Sequence, residues 1–323
     1  MRMFMCSPSF SGPTRLNDTM RPFLIDTDPG IDDALALLLA FGSPECRVEA
    51  ITTVAGNVEV PFCTRNARRV VAVAAPIRPP RIVEGAAGPL ARPLRTATHY
   101  HGADGLGDAL PSEAPSPAPA PGSAARTLVE TARRVGRMLT VVAIGPLTNV
   151  AQALELDATA LADIGRLVVM GGAVDVPGNV TPTAEFNMHV DPEAADRVVA
   201  AGLPLELVPL DVTQRVILAR AALDAALERA PRRLADFVSR CTRFAFRVEA
   251  AADHPGLTLH DPLAVGVALA PSFVTFERVR LEIGADGETR RRPGPPNCRV
   301  ALAVEADRFV PWFLERLCRA SSS

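Results

Sequence analysis

A chain of 323 residues, 48% hydrophobic and 22% charged, has ample material for a buried core and the composition of an ordinary globular protein. Its 34 basic and 36 acidic residues leave a net charge of -2, which gives no electrostatic case for nucleic acid or a membrane surface and favours a small neutral substrate. No apolar run approaches the roughly 20 residues that span a bilayer, and the six cysteines lack CxxC or CxxH spacing, which argues against zinc and a disulfide framework and predicts a reduced, cytoplasmic protein.

The first 20 residues, MRMFMCSPSFSGPTRLNDTM, lack the continuous apolar core of a signal peptide and read as a disordered extension, with Met20 as an alternative start. From Phe23 to Ala40, FLIDTDPGIDDALALLLA, a short apolar strand gives way to a loop carrying Asp26, Asp28, Asp32 and Asp33, broken by Pro29-Gly30, and then to an Ala/Leu-rich helix. Arg47 to Val54 is β-branched and predicts a second strand ending in Ala55-Gly56-Asn57. Residues 61–75 predict an Arg-rich helix, and Arg81-Ile82-Val83 a short strand. Residues 97–107 gather His, Asp and Gly as loops do, and the Pro-rich stretch at 111–123 reads as a mobile loop within one domain.

Beyond it come a helix over 124–135, a continuously apolar strand over 139–144, and a helix opened by Gly145-Pro146-Leu147-Thr148-Asn149. A strand at 166–170 ends in Gly171-Gly172, and a polar loop follows to Ala184-Glu185-Phe186-Asn187. Asp191-Pro192-Glu193 starts a helix to Ala201, and 204–208 is a further strand. Residues 219–251 read as helical with a break at Pro231, and His260-Asp261-Pro262 starts another helix. Two strand-like runs in 273–304 surround the polar turn ADGETRRRPGPP, and an amphipathic helix closes the chain at 307–319. The alternation predicts a single α/β domain over 21–319, with a mostly parallel, Rossmann-like central sheet flanked by helices on both faces.

Four carboxylates on one strand-to-helix turn exceed what capping needs. One or two Asp at a helix start satisfy N–H groups and the positive end of the dipole, but four within a few ångströms raise one another's pKa unless a cation compensates. Clustered carboxylate oxygens suit a hard cation such as Ca²⁺ or Mg²⁺. In open α/β sheets ligands bind outside the carboxyl ends of the strands, and the aspartates, Asn57, Glu185 and Asn187 all follow predicted strands.

The string Asp26-Thr27-Asp28-Pro29-Gly30-Ile31-Asp32-Asp33-Ala34 resembles the N-terminal signature of the nucleoside hydrolases, the inosine-uridine preferring N-ribohydrolases, and the similarity runs from Arg21 to about Arg319. The resemblance implies a Ca²⁺-dependent enzyme that hydrolyses the N-glycosidic bond of ribonucleosides to free base and ribose, acts in purine or pyrimidine salvage, and forms a homo-oligomer, dimer or tetramer. It assigns Ca²⁺ to Asp28, Asp33, Asp261 and the backbone carbonyl of Ile144, where many relatives carry Thr. It assigns the ribose and ring region to Asp32, Asn57, Asn179, Glu185 and Asn187, the general base to Asp28 and the general acid to His260. His101, close to His99, matches a loop histidine near the base in pyrimidine-preferring members and tilts the expected substrates towards uridine and cytidine, with inosine next. Asp26 is expected to brace the metal loop, Met170 and Phe186 to line the sugar pocket or the core, and Asp104 to be a solvated loop residue.

Cleaving an N-ribosidic bond builds positive charge on the sugar and negative charge on the departing base, and needs a water at C1′. Carboxylates beside the sugar serve the first, a histidine titrating near neutral pH the second, and a cation-oriented water next to a carboxylate base the third. Two other readings compete. A nucleoside- or ribose-binding protein without turnover needs neither Asp28 as base nor His260 as acid, and a metal-dependent phosphohydrolase is disfavoured because no lysine stands in the constellation.

Overall fold

The computed structural model describes residues 20–108 and 123–320; the expected N-terminal extension and nearly all of the Pro-rich loop lie outside the described residues. The first half alternates strand and helix: β1 (Arg21–Thr27), α1 (Ile31–Phe41), β2 (Cys46–Thr53), α2 (Val60–Ala74), β3 (Arg81–Glu84), α3 (Thr98–His101), α4 (Ala124–Val135), β4 (Thr140–Ala143), α5 (Thr148–Ala162) and β5 (Arg166–Met170). It continues through α6 (Phe186–Val190), α7 (Pro192–Ala200), β6 (Leu205–Val208), α8 (Leu210–Thr213), β7 (Ile217–Leu218), α9 (Arg220–Leu227) and α10 (Arg232–Ala251). The last part holds β8 (Leu257–Thr258), α11 (His260–Leu269), β9 (Val274–Ile283), β10 (Thr289–Arg292), β11 (Cys298–Val304) and α12 (Ala306–Leu317).

Nine strands form one sheet in the order β10-β9-β11-β6-β5-β4-β1-β2-β3, and β7 pairs with β8 apart from it. Within the nine-stranded sheet pairing is parallel from β3 through to β11 and antiparallel where β9 joins β11 and β10; the separate pair of β7 and β8 is antiparallel. The chain leaves β1 outward to β2 and β3, then returns to β4 on the other side of β1. The strand order therefore reverses between β1 and β4, and the carboxyl ends of these two strands flank the switch point where open α/β sheets bind ligands.

Apolar residues on both faces of the strands explain why both faces are covered. Along β1, Phe23 and Ile25 join one core and Leu24 the other; along β4, Val142 and Val141 divide in the same way. The first core takes in α1, α10, α11 and α12, and the second α4, α5 and α7. Helix α1 is buried along its whole length, its leucines at 35, 37, 38 and 39 fully so. At about 1.5–3 kcal/mol for each buried side chain, this helix is a rigid platform, and its only polar side chains are Asp32 and Asp33 at its start.

The polar turn expected within 273–304 contains a strand. Thr289 to Arg292 form β10, which pairs with β9 at the edge of the sheet, where a row of arginines is tolerated because charged edges discourage further pairing. The expected loop over 97–107 contains α3, and a one-turn helix, α6, follows Glu185. Among the described residues no helix is long and apolar enough to cross a membrane, and the five described cysteines are free thiols.

Candidate active site

At the end of β1 the chain turns into α1 through a network internal to the loop. Thr27 Oγ donates to Asp33 Oδ1 at 2.5 Å and Gly30 N donates to Asp33 Oδ2 at 2.9 Å, so Asp33 closes the first turn of the helix. Asn57, at the end of β2, reaches into the same loop: its backbone N–H donates to Asp28 Oδ2 at 2.7 Å, and its Nδ2 to Asp33 Oδ2 at 2.9 Å and to the Asp28 carbonyl at 3.2 Å. Asp28 is clasped by glycines. A Cβ on Gly56 would stand 2.1 Å from its Oδ2, and one on Gly145 would stand 2.6 Å from its Oδ1. Asp26 braces the loop as expected, its Oδ1 accepting from Thr52 Oγ at 2.5 Å and from Asn149 Nδ2 at 2.8 Å, which ties β1 to β2 and α5.

Asp261, at the start of α11, completes the cluster: ligand oxygens of Asp32, Asp33 and Asp261 lie within 4.8 Å of one another. This trio includes Asp32, which the resemblance gave to the sugar, and Asp28 adjoins it. Burial, then the neighbouring carboxylates, pushes Asp28 and Asp261 well above the ordinary range and Asp32 to about 7; burial also raises Asp33. Asp28 Oδ1 is buried without a hydrogen-bond partner among the described residues. Four dehydrated carboxylates that resist ionising together, one carrying an orphaned oxygen, need a positive charge between them. The donor set is all oxygen with no cysteine or histidine, so it fits a hard divalent cation.

Beside the cluster lies a cavity of about 300 Å³. Its wall includes Asp32, Asp261, Ile144, Glu185 and Asn187, together with His99, Tyr100, Glu249, Asn179, Val180 and Phe186, and Asn57, Met170, His101 and His260. The Ile144 carbonyl, at the end of β4, accepts from Asn187 Nδ2 at 3.1 Å, and the same Nδ2 reaches the Met170 carbonyl at 3.2 Å. Glu185 is the N-cap of α6. It accepts from the backbone N–H groups of Asn187 at 2.9 Å, Gly172 at 3.0 Å and Met188 at 3.1 Å, and burial raises its pKa. Asn179 is exposed at the rim, where its Oδ1 accepts from Phe186 N at 3.0 Å.

Both histidines stand on the cavity wall, and burial lowers the pKa of each. His260 Nδ1 lies 2.8 Å from Thr213 Oγ, and burial pushes its imidazole down to about 4, away from the near-neutral titration expected of a general acid. His101 Nδ1 accepts from Ile31 N at 3.0 Å, at the start of α1, and burial pushes it to about 3. His101 is therefore a neutral cap of the central helix as well as a wall residue, whereas His99 is exposed. Asp104 is stapled within its loop, accepting from Leu106 N at 2.7 Å and Asp108 N at 3.0 Å, and does not line the cavity. Two polar wall residues lie outside the candidates read from the sequence: Tyr100, in what reads as loop, and Glu249, in the stretch 219–251 that reads only as helical.

The sequence matches the description "inosine-uridine preferring nucleoside hydrolase" over residues 23–311. It is 34% identical over 303 residues to the inosine-uridine preferring nucleoside hydrolase of Leishmania major, covering 91% of this chain and 96% of that protein. It is 35% identical over 306 residues to the non-specific ribonucleoside hydrolase RihC of Salmonella enteritidis, covering 90% of this chain and 96% of that protein. The solved purine-preferring ribonucleoside hydrolase of Gardnerella vaginalis superposes with a TM-score of 0.88 at 29% identity, covering 94% of this chain and 100% of that one.

Proposed function

Since the chain belongs to the inosine-uridine preferring nucleoside hydrolase family and hydrolyses the N-glycosidic bond of ribonucleosides, we propose that it does so with a Ca²⁺ ion held by Asp28, Asp33, Asp261 and the Ile144 carbonyl, with Asp32 alongside. The observation that carries this reading is the group of four buried aspartates at the switch point, with the unpartnered Asp28 Oδ1 among them. When bound, the cation neutralises this cluster, orients the ribose diol and makes a water more acidic.

The protein's own groups do the rest. Asp28 Oδ1, the oxygen left free when Asn57 N–H and Gly56 fix its partner, takes the proton of the water that attacks C1′. Asp32 and Glu185 accept from the ribose hydroxyls and set negative charge beside the cationic sugar. Backbone N–H groups already occupy some of the Glu185 lone pairs, so its carboxylate is held ready before substrate arrives. Asn187 presents its amide from a position fixed by two carbonyls. His260 Nδ1 lies 2.8 Å from Thr213 Oγ, and in the neutral tautomer with its proton on Nε2 the hydroxyl donates to Nδ1 and Nε2–H meets the negative charge that develops on the departing base.

A readout independent of turnover tests the cation. Thermal unfolding of chelated protein with added Ca²⁺ should show a rise in Tm at micromolar to millimolar ion, because a ligand bound only by the folded state stabilises it. The rise should vanish in Asp33→Asn. An unchanged Tm in the wild type would contradict the assignment.

A further inference from the structure

Glu249 stands on the cavity wall towards the end of α10. Its side chain is held rather than floppy: Tyr100 Oη donates to Oε1 at 2.5 Å, and His254 Nδ1 lies 3.2 Å from Oε2 while making a closer contact of 2.8 Å with the Gly256 carbonyl. A carboxylate offers about four lone-pair positions, so these two neighbours leave acceptor capacity on both oxygens. Tyr100 packs edge-on against His101, with ring centroids 5.1 Å apart, and His101 is fixed to the start of α1. The carboxylate is thus registered against the catalytic loop through a short rigid chain.

We propose that Glu249 is a specificity-determining residue that reads the pairing edge of the base and favours lactam nucleosides, guanosine, inosine and uridine, over the amino nucleosides adenosine and cytidine. This rests on the reading of the cavity as a nucleoside site. With the ribose held by the aspartates and Glu185, the hydrogen-bonded pair Tyr100 and Glu249 on the same wall is placed to meet the base. An acceptor-only group there matches a ring N–H. Guanine presents two adjacent donors, N1–H and the 2-amino group, and matches both oxygens; hypoxanthine and uracil present one ring N–H. Adenine and cytosine place a ring-nitrogen lone pair beside their amino group, so one carboxylate oxygen faces a lone pair where a donor is needed, a mismatch that polar sites reject strongly.

The test is a substitution that inverts the pattern. Glu249→Gln keeps the shape and an oxygen for Tyr100, and offers one donor and one acceptor, the complement of adenine's N1 and 6-amino group. With Ca²⁺ present, kcat/KM is measured for guanosine, inosine, adenosine, uridine and cytidine on the same preparations. Ratios between substrates cancel any difference in folded fraction. The guanosine-to-adenosine ratio should fall by about tenfold or more in Glu249→Gln, mainly through KM, with a smaller fall in the uridine-to-cytidine ratio. Tyr100→Phe, which removes the clamp but keeps the carboxylate, should lower kcat/KM while preserving the substrate ranking. A uniform loss across all five nucleosides in Glu249→Gln would overturn the assignment and leave Glu249 a scaffold for Tyr100. Wild-type protein that releases ribose from none of them would overturn the nucleoside reading itself, and this inference with it.

Discussion

Two parts of the site, the aspartate cluster and the pair formed by Tyr100 and Glu249, are built in opposite ways. The aspartate cluster rises from the carboxyl ends of adjacent strands: Asp26 near the end of β1 and Asp28, Asp32 and Asp33 after it, Asn57 after β2, Ile144 after β4. Its members are buried, bonded to one another or to backbone, and packed so closely that two neighbouring positions must be glycine. The Tyr100 and Glu249 pair is assembled from segments far apart in sequence, Tyr100 from a one-turn helix and Glu249 from α10, which meet through a side-chain hydrogen bond across 149 positions. The first is rigid because it belongs to the sheet, whereas the second rests on the contact of two helices.

That contrast can be broken or sharpened by substitution. The largest effect is expected at Asp28: Asp28→Asn should lower kcat by about 10³-fold in steady-state assays while far-UV circular dichroism remains native, and near-normal turnover would remove Asp28 as the base. Next comes Gly56→Ala. The added Cβ would stand 2.1 Å from Asp28 Oδ2, so the carboxylate must move, and a displacement of that order costs about 10²-fold in kcat; activity within a factor of three of wild type would show that the close packing is irrelevant to chemistry. Asn57→Ala strips a donor from Asp33 Oδ2 and from the Asp28 carbonyl. Leaving buried acceptors unmet should cost about 1–3 kcal/mol in denaturant unfolding, with no change in the ranking of substrates. The smallest effect belongs to His101. Because its Nδ1 is committed to Ile31 N, His101→Ala should lower turnover of uridine and inosine alike, by about tenfold or less. A loss confined to pyrimidine nucleosides would instead make His101 a reader of the base.

The same contrast explains what could be read from the sequence. The aspartate cluster was legible because its residues are contiguous or follow apolar runs, and one strand-to-helix turn with four carboxylates has few other meanings. The alternation of β-branched runs and Ala/Leu helices likewise predicts the parallel sheet. Strand β10 escaped because three arginines in a row read as a turn, whereas an edge strand accepts them. Glu249 escaped because α10 carries arginines along much of its length, and only the packing of α3 against it brings one carboxylate onto the cavity wall. The lowered pKa of His260 was equally hidden, since dehydration by the surrounding fold leaves no local sequence mark.

The most direct test of the central claim is release of reducing sugar from uridine, cytidine, inosine and adenosine by chelated protein, repeated after Ca²⁺ is restored. Release that is abolished by chelation and recovered with Ca²⁺ is the predicted result. Release that persists undiminished in the chelated protein, with chelation verified by metal analysis, would contradict a cation-dependent mechanism built on these four aspartates.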